Sequence, residues 1–89
     1  MQKIRPDLNI GNNISDLRYK RNMTQDQVVA KLQLMGIQIS KSTYAKIETN
    51  RMNIKVSELV ALKILFKAAY EDFFIGLTDD ITSFINEEN

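Results

Sequence analysis

Apolar residues recur three and four positions apart in several short stretches, each about ten residues long and bounded by residues that start or stop helices. The clearest start is Thr24-Gln25-Asp26-Gln27. A threonine hydroxyl can accept from an N–H of the first helical turn, and a glutamine three residues on can reach back to the threonine N–H. Asp26 adds a negative charge at the positive end of the helix dipole. Val28, Val29, Leu32 and Met35 then make one stripe, which predicts a helix over about 25–35 that Gly36 can close in the left-handed conformation. Helices this short are marginal alone in water, so a chain built from them must pack them on one another.

The rest of the chain follows the same pattern. Ile10, Ile14, Leu17 and Tyr19 predict a helix over about 10–21, with Asn9 as its cap and Arg18, Lys20 and Arg21 in its last turns. Ile37 to Ser40 alternates like a strand, but four residues between helices cannot make a sheet. The segment reads as a turn with Ile37 or Ile39 plugging the core. Ser40 caps a third helix over about 41–48, with Tyr44 and Ile47 inward and Lys41, Ser42, Ala45 and Lys46 outward. Thr49-Asn50 is its stop. Leu59, Leu62, Leu65 and Phe66, with Val56 just upstream, predict a fourth helix over about 56–67. A fifth is expected over about 70–75, where Phe73 and Phe74 close the core, and Gly76 ends it. Asp79 to Phe84 can add one more turn. The expected architecture is all-α: an arm at 1–9, a compact five-helix bundle at 10–76, and an acidic extension at 77–89.

Composition narrows the function. The 89 residues suffice for one small domain. With no cysteine and no histidine, the chain lacks disulfides, the usual zinc ligands and the commonest catalytic base. Gly11, Gly36 and Gly76 lie too far apart for a phosphate-binding loop. The expectation is no enzyme, no metal, no cofactor and no small-molecule ligand. Neither a secretory signal nor a bilayer-spanning run is evident, so the expected compartment is the cytoplasm, without a membrane partner. Net charge is only +1, but residues 1–67 hold all 12 Lys and Arg against five acids, whereas residues 68–89 hold six acids and no base. A basic body of this kind attracts a polyanion.

The stretches IGNNISDLRYKRNMTQDQVVAKL, STYAKIETNRMNI and ELVALKILFKAAYEDFF resemble the Cro and phage-repressor (XRE-type) class of helix-turn-helix domains. The likeness runs over about residues 10–76 and implies the lambda-repressor-like fold, with helices two and three as the reading unit. It implies that Arg18 and Glu48 pair across the fold, as an Arg fork and a carboxylate can do bidentately. It places Gln25, with Thr24, on backbone phosphate at the start of helix two, and puts Lys41, Ser42 and Lys46 at the outward base-reading positions. Ala45 between them can offer a methyl group to thymine. Asn50 and Arg51 stand in the turn after helix three, where the class usually has glycine, and are expected at phosphate. For each exposed residue the alternative is an ordinary solvated side chain. The chain also departs from compact members in the longer link LQLMGIQIS between helices two and three.

The resulting expectation is sequence-specific binding of double-stranded DNA by a small transcriptional regulator, a repressor, with the helix at about 41–48 in the major groove. A homodimer on a two-fold site is expected, with the apolar residues of 70–86 as its contact. The rival reading is a protein-interaction module, an adaptor or antitoxin-like binder, on the same scaffold.

Overall fold

The computed structural model describes residues 10–77. The arm expected at 1–9, the cap expected at Asn9 and nearly all of the acidic extension lie outside the described residues.

Four α-helices follow one another: α1 (Gly11–Lys20), α2 (Gln25–Leu34), α3 (Lys41–Glu48) and α4 (Val56–Phe66), then a 3-10 helix at Tyr70–Phe74. Among the described residues there is no strand. They form a compact helical bundle in which α2 packs on α3 and α4, and α1 on α3 and the 3-10 helix. Ile14, Val28, Leu32, Leu62, Phe66 and Phe73 are its fully buried centre. Among the described residues, no helix is long and apolar enough to cross a membrane.

Local chemistry sets the ends. The Thr24 hydroxyl accepts from Gln27 N–H at 3.1 Å and the Gln27 side-chain Oε1 accepts from Thr24 N–H at 2.9 Å, closing the capping box. At the other end of α2, Gly36 has φ +88°, Gly36 N–H donates to Gln33 O and Ile37 N–H to Leu32 O. That pair of bonds needs a left-handed residue, and glycine adopts it without strain. The link to α3 is tied down as well: Ile39 is buried, Ile37 half-buried, and the Gln33 amide donates to Ile39 O at 3.0 Å.

Several sequence expectations need correction. The α1 cap position is Ile10, which makes no side-chain cap bond. Tyr19 is 64% exposed because five positions after Ile14 it falls about 140° round the helix from the buried stripe, and its ring lies against the Arg18 guanidinium, 4.4 Å from the centroid. Met35 is the residue after α2 and lies at the surface. The fifth helix is a 3-10 turn. The Asn13 amide donates to the carbonyls of Phe73 and Ile75 at 2.9 and 3.0 Å, satisfying acceptors at the C-terminal end of this turn that have no donor within it. With three residues per 3-10 turn, adjacent phenylalanines point about 120° apart, so Phe73 is buried and Phe74 is exposed.

α4 ends on a residue with a strained backbone. Lys67 has φ +54°, and its N–H and that of Ala68 close onto Ile64 O and Lys63 O. A side chain in this region costs about 1–2 kcal/mol. Lys67→Gly is therefore expected to raise unfolding stability by about 0.5–1 kcal/mol, after allowing for the looser unfolded chain. Urea titration of the two proteins checks this.

Candidate nucleic-acid interface

A buried polar cluster joins the first three helices. Arg18 of α1 meets Glu48 of α3 through two bonds, Nε to Oε2 at 2.7 Å and Nη2 to Oε1 at 3.0 Å. Its remaining Nη1 donates to Met23 O at 2.9 Å, just ahead of α2. The Gln25 amide, at the start of α2, donates to Glu48 Oε1 at 3.0 Å. One carboxylate thus collects donors from α1 and α2 and holds the end of α3 against both. The side chains of Arg18 and Glu48 are 7% and 4% exposed, which puts the pair among buried ion pairs.

The ionisation states follow from these contacts. Burial would raise the Glu48 carboxyl pKa, but the Arg18 guanidinium, the nearby Tyr44 hydroxyl and the Gln25 amide outweigh it and hold the group below the ordinary 4.5. Glu48 in turn raises the pKa of Arg18 against the opposing effect of burial. The Tyr44 hydroxyl is buried beside the pair without a well-formed hydrogen bond. Burial first, and then the Glu48 charge, push its pKa up.

Over this anchor, α3 turns its polar side outward. The Ser40 hydroxyl accepts from Thr43 N–H at 3.1 Å and donates to Thr43 Oγ1 at the same distance, fixing the start of the helix. Tyr44 and Ile47 are buried. Lys41 and Ser42 are exposed in the first turn, and Ala45 and Lys46 are half-buried one turn further on. Lys41 Nζ lies 3.0 Å from Asp26 Oδ1, an ion pair across α2 and α3 with both side chains mostly exposed. Such a pair is worth about 0–1 kcal/mol and leaves Lys41 able to exchange partners.

The four residues expected at phosphate have structural work of their own. Thr24 is the α2 cap, and its neighbours Gln25 and Asp26 have N–H groups that precede the first intrahelical bond of α2, Val28 N–H to Thr24 O. The Gln25 side-chain N–H is directed at Glu48. Asn50 has φ +64°, the left-handed position where the resembled class has glycine. Its N–H donates to Ile47 O and that of Arg51 to Lys46 O, so both backbone donors are spent closing α3. What the turn still offers an anion is the Arg51 guanidinium, which is exposed and donates from Nε to Thr49 Oγ1 at 3.1 Å.

Three structural roles escaped the sequence reading. The Asn50 Oδ1 accepts from Gly11 N–H at 2.9 Å, so the stop of α3 also caps α1. Gly11 sits so close to that stop that a Cβ would lie 2.6 and 2.5 Å from the Ile47 and Glu48 carbonyl oxygens. Arg21 Nε donates to Phe66 O at 2.6 Å, tying α1 to the end of α4. None of these has a local signature, because each partner is more than thirty residues away in sequence. Comparison with known proteins finds no matching family model, no matching curated protein and no matching solved structure.

Proposed function

We propose that the protein binds double-stranded DNA sequence-specifically as a small helix-turn-helix regulator, a repressor, with α2 and α3 as the reading unit and α3 in the major groove. One observation carries this reading: α3 exposes Lys41 and Ser42 at its first turn while the buried Arg18–Glu48–Gln25 cluster fixes its other end to α1 and α2. A rigidly held helix with donors at its N-terminal turn suits base edges: Lys41 can donate to guanine O6 or N7, and Ser42 suits either kind of edge. Lys46 and Ala45 face the same groove one turn later. Arg51 and the first N–H groups of α2, beside Thr24 and Gln25, serve phosphate. One such helix contacts few bases, so two copies on a two-fold site complete the reading. Tyr19, Phe74 and Ile75, all exposed, offer the apolar contact between copies. The reading needs no cofactor.

Selection of bound duplexes from a random pool tests it, and an enriched palindrome is the expected outcome. On that site Lys41→Ala and Ser42→Ala should each cost about 1–3 kcal/mol and much less on random DNA. Arg51→Ala should weaken both about equally and reduce the salt slope by about one. Unchanged specificity in the first two variants would remove α3 as the reader. A pool without enrichment would transfer the scaffold to protein interaction.

A further inference from the structure

The surface of α4 is apolar on two sides. Ala61, Leu62 and Phe66 are buried in the bundle, yet Val56, Val60 and Ile64, four residues apart, are 77%, 37% and 58% exposed. Residues at that spacing line one face of a helix, and a helix apolar all round is ordinarily buried all round. The stripe runs about 12 Å from Val56 to Ile64 at 1.5 Å per residue. Lysines border it: Lys55 and Lys67 are exposed and Lys63 is half-buried. The one acid of α4, Glu58, is buried and accepts from Lys55 N–H. Lys63 Nζ lies 5.3 Å from the ring centroid of the exposed Tyr70, which extends the face toward the 3-10 helix.

The occupant that fits is apolar and acidic. A second copy of the same face would set lysines against lysines. Residues 78–89 carry Asp79, Asp80, Glu87 and Glu88, with no Lys or Arg. Between the acids stand Ile81, Phe84 and Ile85, at a spacing that would put them on one side of a helix. The segment begins eight residues after Tyr70, whose ring lies against Lys63, and 12 residues span about 18 Å as a helix and about 40 Å extended. Tethering to the same chain also gives it a local concentration in the millimolar range. We infer that residues 78–89 dock on α4 of their own chain, with Ile81, Phe84 and Ile85 on the Val56–Val60–Ile64 stripe and the flanking acids on Lys55, Lys63 and Lys67.

The chain has no cysteine, so Ser57→Cys, at an exposed position of α4 beside the stripe, gives one attachment point for a nitroxide on the full-length protein. At high dilution the backbone amide signals of residues 81–85 should lose more than half of their intensity when the nitroxide is oxidised. Adding Phe84→Asp should restore them. Asn53→Cys, exposed just ahead of α4, provides a second label should the first disturb the fold, as judged from the amide shifts of Ile14 and Leu62. Full intensity at 81–85 with both labels overturns the docking. So does broadening that arises only between nitroxide-bearing and isotope-labelled chains in a mixture, which would place a second copy on the stripe. No DNA enters the experiment, so its failure is separate from a failure of the DNA-binding reading.

Discussion

Arg18→Ala is expected to destabilise the domain by about 3–5 kcal/mol, because it leaves the Glu48 carboxylate buried without its main partner. A domain of this size has about 5–15 kcal/mol in all, so much of the population should unfold near physiological temperature. Glu48→Ala should do similar damage by stranding the guanidinium. The double change Arg18→Met with Glu48→Leu should cost far less than the two singles together, since neither charge is left alone in the interior. Thermal and urea unfolding of wild type, Arg18→Met, Glu48→Leu and the double variant measures the coupling. If the single variants lose under 1 kcal/mol, the pair behaves as an exposed one and does not anchor α3.

The same pair sets a pH dependence. The folded-state pKa of Glu48 lies below its ordinary value of 4.5. The folded state therefore releases this proton more readily than the unfolded chain does. Its contribution to stability is complete above the unfolded pKa and is lost as pH falls through the folded one. Wild-type stability should decline below about pH 4.5, and the gap between wild type and Glu48→Gln should shrink over the same range. Unfolding curves at neutral pH and at about pH 3 check the sign. A gap that widens on acidification would mean that Glu48 is held protonated in the fold.

Gly11→Ala is the second large effect, and its direction runs against helix propensity. Alanine is about 1 kcal/mol better than glycine within a helix. Here the added Cβ would stand 2.5–2.6 Å from the Asn50 Oδ1 and from two backbone carbonyl oxygens, where only a backbone shift relieves it. That shift also lengthens the bond from Gly11 N–H to Asn50 Oδ1. A net loss of roughly 2–3 kcal/mol is expected from overpacking and the weakened bond. Valine should be worse than alanine. A stabilised Gly11→Ala in a denaturant titration would show that α1 and the end of α3 do not approach this closely.

Those two positions also mark where reading a sequence stops. The helices α2 and α3 were legible from the chain itself. Thr24 with Gln27, Ser40, Gly36 and Asn50 act on backbone groups a few residues away, and the side chains that set those ends sit within the same short stretch. The inward residues Tyr44 and Ile47, and the plug Ile39, follow from helical spacing and from the brevity of the link. Arg18 and Glu48 entered through the resemblance, since spacing alone cannot choose a partner thirty residues away.

What the tertiary structure decided are the features that depend on a distant atom. The side chain of Asn13 ties the carbonyls of Phe73 and Ile75 to α1, and the expected fifth helix is a 3-10 turn with Phe74 outside. Gln25, expected to point its amide at phosphate, directs it to Glu48. The backbone donors of Asn50 and Arg51 close α3, which leaves the Arg51 guanidinium as that turn's offer to an anion. Lys41 finds Asp26 on the neighbouring helix. Periodicity and capping are set by neighbours along the chain and so can be read from it. Which polar group satisfies which other group is settled only when helices from remote parts of the chain pack together, because a buried donor takes whatever acceptor the packing brings within reach.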